Sequence, residues 1–219
     1  MNTLQQIKLL AILKSDNVEE YEKWLKENNT LLQGTEFVNV TGVTYGKGTP
    51  NNLFTTICLQ QAERIWEFTL NKMKDGFDYK DGNGDTPLLC AATYGTTQML
   101  NFIFFNKEVD LYQLNKDGDN FATILCKLGR DDCIYFCLST PSKAKKDFDW
   151  TTKNGDGKTP LDISIEKGNN VITNYLLDYI NGGQKKLPIN EDLVYKRSEM
   201  YLKKKQNKKK KLKTGYHFE

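Results

Sequence analysis

Residues Asp81 to Gly95 read D-G-N-G-D-T-P-L-L-C-A-A-T-Y-G, and this stretch decides the fold. Asp81, Gly82, Asn83 and Gly84 offer the positive-φ and side-chain-bonded conformations of a tight turn. Thr86 suits a helix cap, and Pro87 suits the first helical position, where no backbone donor is missed. Leu88, Ala91 and Ala92 then share one face of the helix that follows. Gly157 to Gly168, G-K-T-P-L-D-I-S-I-E-K-G, repeats the pattern with Gly, Thr, Pro and Leu in phase and a Gly closing the helix. Gly118-Asp119-Asn120-Phe121 to Gly129 is a third copy, 34 residues after the first and 39 before the next, with Phe121 in place of the Pro. The extra residues of the longer interval fit an insertion at Ser139 to Lys146, between a second helix and the next turn.

The run Thr86 to Ala92 resembles the core of the ankyrin repeat, T-P-L-H-x-A-A, with Leu89 where that family usually has His; the family's period is about 33 residues. The resemblance is strongest from Asp78 to Ile180. It implies an all-α fold, a solenoid of about five helix-turn-helix units joined by hairpin-like turns that form a protruding edge. Each unit buries against its neighbours what it cannot bury alone. Residues 1–183 then form one repeat domain. Within it 4–33 are a divergent N-terminal cap unit, 50–80 a weak repeat, 81–114 a repeat, 115–153 a repeat with the insertion and 154–183 the C-terminal repeat. Leu88, Ala91 and Leu161 are expected to be buried between units.

Leu4 to Leu31 read as two short helices, with Leu9, Ile12 and Leu13 on one face and Tyr21, Trp24 and Leu25 on the next. Asp16 stands where the repeats have Gly95, and the charges between the apolar positions suit an end unit that must face water. Gln33 to Asn51, with its glycines and the alternating Phe37, Val38, Val40 and Val43, reads as an extended loop or hairpin. Leu53 to Leu70 aligns 34 residues before the Asp81 copy: Phe54 matches Leu88, Cys58 matches Ala92, and Ile65, Trp66 and Phe68 match Met99, Leu100 and Phe102. Second helices are expected at Gln98 to Phe105, Asp132 to Leu138 and Val171 to Ile180.

Composition sets the outer bounds. A chain of 219 residues with 38% hydrophobic and 27% charged positions suits a soluble globular protein with a sizeable core. Ile7 to Leu13 is too short for a membrane span and is broken by Lys8, so neither an anchor nor a secretory leader is expected. The five cysteines are an odd number without C-x-x-C pairs, which suits free buried thiols in a reducing compartment.

The chain changes character at Gly182-Gly183. Residues 184–219 hold 12 Lys or Arg against 4 Asp or Glu, a net +8, while residues 1–183 hold 19 against 24, a net −5. Leu193 to Lys213 reads as a basic helix or a disordered tail, begun by Asn190, Glu191 and Asp192, with Val194, Met200, Tyr201 and Leu212 as its sizeable apolar points. Lys196-Arg197, a spacer, and Lys208, Lys209, Lys210 and Lys211 resemble a bipartite nuclear import signal. With Lys203, Lys204 and Lys205 these residues form either an import tail or a phosphate-seeking arm.

Signals of chemistry dissolve on inspection. Asp81, Asn83 and Asp85 have the first ligand spacings of a calcium loop, but Thr86 stands where that loop needs Gly and Ala92 where it needs the bidentate Glu. Gly157-Lys158-Thr159 is similar to the end of a phosphate-binding loop, yet the first Gly of that motif falls on Thr152 and Pro160 removes a donor. His217, the single histidine, has no partner at metal-ligand spacing. Cys133 and Cys137 align with the core positions Met99 and Ile103. The expectation is a protein that is not an enzyme, with no cofactor, no metal and no membrane.

Ankyrin-type folds usually meet partners with the turn tips and the exposed side of the first helices. The resemblance therefore implies contact positions at Asn83, Asp85, Thr93 and Tyr94, at Asp117, Asp119, Lys127 and Leu128, and at Asp156, Lys158, Glu166 and Lys167. Tyr94 and Leu128 are the expected anchors. The first reading is an adaptor or chaperone, monomeric outside its complex, that binds a protein partner. The alternative is an RNA or ribonucleoprotein factor whose basic tail touches nucleic acid. Either suits the cytoplasm, the nucleus or both.

Overall fold

Thr86 caps a helix with its side chain, Oγ1 accepting from the Leu89 backbone N–H at 3.4 Å, and Pro87 begins that helix. The computed structural model describes residues 3–28, 53–73, 76–139 and 148–182, all within the unit Met1–Gly182. The loop or hairpin at Gln33 to Asn51, the insertion beyond Ser139 and the Lys-rich tail lie outside the described residues. Among the described residues the secondary structure is all helical: α1 (Thr3–Ser15), α2 (Val18–Glu27), α3 (Leu53–Leu59), α4 (Glu63–Lys72), α5 (Pro87–Tyr94), α6 (Thr97–Asn106), α7 (Phe121–Leu128), α8 (Asp131–Ser139), α9 (Pro160–Glu166) and α10 (Asn170–Ile180).

The helices come in five successive pairs, each member packed on the other, from α1 with α2 to α9 with α10. The pairs pack in chain order. Helices α3, α5, α7 and α9 contact one another in succession, and so do α2, α4, α6, α8 and α10, giving a layer of first helices and a layer of second helices. One continuous core runs between them from Leu9 in α1 to Leu176 in α10. Small residues let the first helices approach: Ala91, Ala92, Ala122 and Cys126 are fully buried, as is Cys58 in α3. Helices of seven to thirteen residues are marginal alone, so this burial carries the fold.

Leu88 is 1% exposed and Ala91 fully buried. Leu161, expected to match them, is only half-buried. The reason is position: α5 has α3 on one side and α7 on the other, while α9 has α7 on one side and, among the described residues, no first helix beyond it.

Where the third copy replaces Pro with Phe121, the capping changes and an aromatic cluster appears. Asn120 accepts from the Thr123 N–H at 2.9 Å and Thr123 Oγ1 accepts from the Asn120 N–H at 3.1 Å, a reciprocal cap. The Phe121 ring meets Phe148 at 4.7 Å, Phe104 at 5.4 Å and Trp150 at 5.8 Å between centroids. Phe148 and Trp150 lie just past the insertion, so these contacts return the chain to the core.

Candidate functional site

The three turns before α5, α7 and α9 are built alike. In each, the first residue turns its side-chain oxygen onto two later backbone N–H groups: Asp81 on Asn83 and Asp85 (2.8 and 2.9 Å), Asn115 on Asp117 and Asp119 (3.0 and 2.9 Å), and Asn154 on Asp156 and Lys158 (both 3.0 Å). The fourth residue has positive φ, 79° at Gly84 and 76° at both Gly118 and Gly157. At Gly84 a Cβ would also come within 2.9 Å of the Lys116 backbone nitrogen. Any side chain there is excluded twice, by conformation and by the next turn.

The turns are tied together, the second residue of each of the two later turns donating its N–H to the turn before it. Lys116 N–H donates to the Asn83 carbonyl at 3.1 Å and Gly155 N–H to the Gly118 carbonyl at 2.7 Å. Side chains add rungs: Asn115 Nδ2 donates to Asp85 Oδ1 at 3.2 Å, and Asn154 Nδ2 to Asp119 Oδ1 at 3.0 Å. Thr55 Oγ1 of α3 donates to Asp81 Oδ2 at 3.0 Å, joining the first of these turns to the preceding helix pair.

This framework sorts the twelve expected contact residues. Asp85 and Asp119 are 3% and 4% exposed and serve the rungs. Asp119 also pairs with Lys127, Nζ to Oδ2 at 2.6 Å. Lys158 pairs with Glu166 at 2.8 Å, with the signs reversed, and the Glu166 carboxylate holds the Lys158 ammonium above its usual range. Thr93, at the equivalent of Lys127 and Glu166, carries no charge and donates its hydroxyl to the Leu89 carbonyl at 2.8 Å. Asn83 is half-buried, while Asp117, Asp156 and Lys167 are exposed.

The two expected anchors end adjoining helices. Tyr94, half-buried, is the last residue of α5, and Leu128, 52% exposed, the last of α7. Burial raises the Tyr94 phenol above its ordinary value, and the charges of Asp85, Asp81 and Asp117 act in the same direction. Burial likewise pushes Asp85 up to about 6, helped by Asp81, Asp117 and Asp119 and opposed by the bond from Asn115. The turn edge thus buries Asp81, Asp85 and Asp119 and exposes Asp117 and Asp156 alongside Lys116, while Tyr94 and Leu128 close the far ends of α5 and α7.

Residues outside the twelve hold the edge in place. Asp81, Asn115 and Asn154 supply both the turn geometry and a link to a neighbour, and their equivalence follows from the repeat spacing. Arg130 Nη1 donates to the carbonyls of Ala91 and Ala92 at 2.8 and 2.7 Å and so closes the end of α5. The tail residues Lys196, Arg197, Lys203 to Lys205 and Lys208 to Lys211 lie outside the described residues.

Of the cysteines, Cys58, Cys90, Cys126 and Cys133 are buried and Cys137 is half-buried. Burial pushes every thiol up, Cys133 to about 11 and Cys126 to about 12. That is the opposite of an activated thiolate. Among the described residues no three His, Cys, Asp or Glu side chains gather so as to hold a metal ion, and no helix is long and apolar enough to cross a membrane. The sequence matches no protein-family model, and no curated protein matches it either.

Proposed function

We propose that this chain is an ankyrin-type repeat protein that binds a protein partner, as an adaptor or chaperone without catalytic activity of its own. The observation that carries this reading is the turn ladder. Three like turns, tied to one another by backbone and side-chain bonds, fix the starts of α5, α7 and α9, and α5 and α7 carry Tyr94 and Leu128 at their far ends. Rigid presentation lowers the entropic cost of binding, and a half-buried aromatic next to an exposed leucine within a charged rim suits a partner's apolar side chains. On this reading Asp117 and Asp156 form the rim, while Asp85, Asp119 and Lys127 hold the scaffold.

The test is Tyr94→Ala combined with Leu128→Ala in the full chain, with the partner captured from the source cell. The double variant should weaken the complex by more than about 2 kcal/mol and leave the melting transition nearly unchanged. Unchanged affinity moves the site off this face. The Lys-rich tail is proposed to serve nuclear import or phosphate contact, a reading that rests on its charge pattern.

A further inference from the structure

Asp85 and Asp119 hold equivalent places in successive turns, each almost fully buried and each receiving an amide from the next or following turn. Their counter-charges differ. Eight residues on from Asp119, Lys127 puts its ammonium 2.6 Å from the carboxylate; eight residues on from Asp85 stands Thr93, whose hydroxyl is given to the Leu89 carbonyl. Two cations from the adjoining helix pair are engaged elsewhere, Lys127 with Asp119 and Arg130 with the Ala91 and Ala92 carbonyls. Asp81 lies in its own turn, Asp117 and Asp119 in the next, and Tyr94 and Cys90 on α5. Lys116 of the next turn donates to the Gly82 carbonyl at 2.8 Å. A buried carboxylate among carboxylates favours its neutral form.

We infer that the Asp81 to Asp85 turn is a proton-sensitive joint: in mild acid the buried Asp85 takes up a proton, the cost of burying its charge is relieved, repulsion from Asp81, Asp117 and Asp119 falls, and the turn closes more firmly onto Asn115 to Asp119. The joint is independent of the partner-binding reading. Burial and the surrounding charges bring its operating range to about pH 6. A carboxyl raised above its unfolded value makes the folded chain bind more protons than the unfolded chain in that interval. Stability therefore rises as pH falls from 7 through 6, and the gain is complete only below the unfolded carboxylate range.

The joint has a local readout in the Lys116 amide, which bridges the two turns through the Asn83 carbonyl. In the full chain, the Asp85 carboxyl-carbon resonance, assigned by its absence from Asp85→Asn, should titrate near pH 6. Over the same interval the Lys116 amide should gain protection against hydrogen exchange, after correction for intrinsic chemistry. Asp85→Asn should abolish that gain. Thr93→Lys, which places a cation as Lys127 stands to Asp119, should lower the Asp85 midpoint by about one pH unit or more. A midpoint in the ordinary range near about 4, or Lys116 protection that ignores pH in the unaltered chain, overturns the inference. Should Thr93→Lys fail to fold, the unaltered chain and Asp85→Asn decide it alone.

Discussion

The carboxylate of Asp16 caps a helix belonging to the next pair: its Oδ1 accepts from the Ile65 backbone N–H at 3.0 Å, and Oδ2 from Arg64 at 3.2 Å. Ala62, the residue that precedes α4, has no side-chain cap of its own. Asp16 also sits at φ 52°, in the left-handed region that ends α1. One residue thus ends one helix and begins another, 48 positions away.

That double duty predicts an ordered series. Asp16→Asn should cost least, because Asn both caps and tolerates positive φ; Asp16→Gly should lose the cap alone. Asp16→Ala should lose the cap and strain the backbone, destabilising by about 2 kcal/mol. Urea denaturation of the three variants reads the order, and an Ala variant as stable as Asn would show that the cap is idle.

Leu88→Ala should cost roughly 2 to 5 kcal/mol, because the side chain is buried on α5, which packs against both α3 and α7, and its loss leaves a cavity. Leu161→Ala, in a half-buried place at the end of the row, should cost about 1 kcal/mol. Equal costs by thermal or chemical unfolding would contradict the difference in burial.

The two ion pairs of reversed sign should respond differently. Lys127→Met leaves a buried carboxylate without its counter-charge, so a loss of about 1 to 3 kcal/mol is expected. Glu166→Gln breaks a pair that faces solvent, where the expected change is below about 1 kcal/mol. Denaturation in low and high salt should show both numbers, with Lys127→Met the less salt-sensitive.

Asn115→Asp keeps the oxygen that builds its turn but removes the amide that reaches Asp85. It should destabilise by about 1 to 3 kcal/mol at pH 7 and by less at pH 5, since Asp85 is then largely protonated. A penalty independent of pH would place the damage in the turn rather than in the rung.

Replacing Lys208, Lys209, Lys210 and Lys211 with Ala should, if the tail directs import, leave a fluorescent fusion in the cytoplasm while partner capture persists. A fusion that is nuclear regardless, or was never nuclear, rules import out. Loss of cosedimentation with RNA in the same variant would favour phosphate contact.

The helices were legible in the chain itself because their signals are local. A cap such as Thr86 or Asn120, a proline at a helix start and a glycine with positive φ each act within four or five residues, and their recurrence after 34 and then 39 residues announces equivalent elements. The buried row from Leu9 to Leu176 follows from the same periodicity. What only the tertiary structure decided is which polar residues remain available to a partner. Asp85 and Asp119 read in sequence as tip residues, yet stacking buries them and turns them into rungs for Asn115 and Asn154. Leu161 reads as core, yet ends the row half-buried. Asp16 reads as a place-holder for glycine, yet caps a distant helix. Each outcome depends on which surface lies against which neighbour, a relation among residues 30 to 49 positions apart that no local preference encodes.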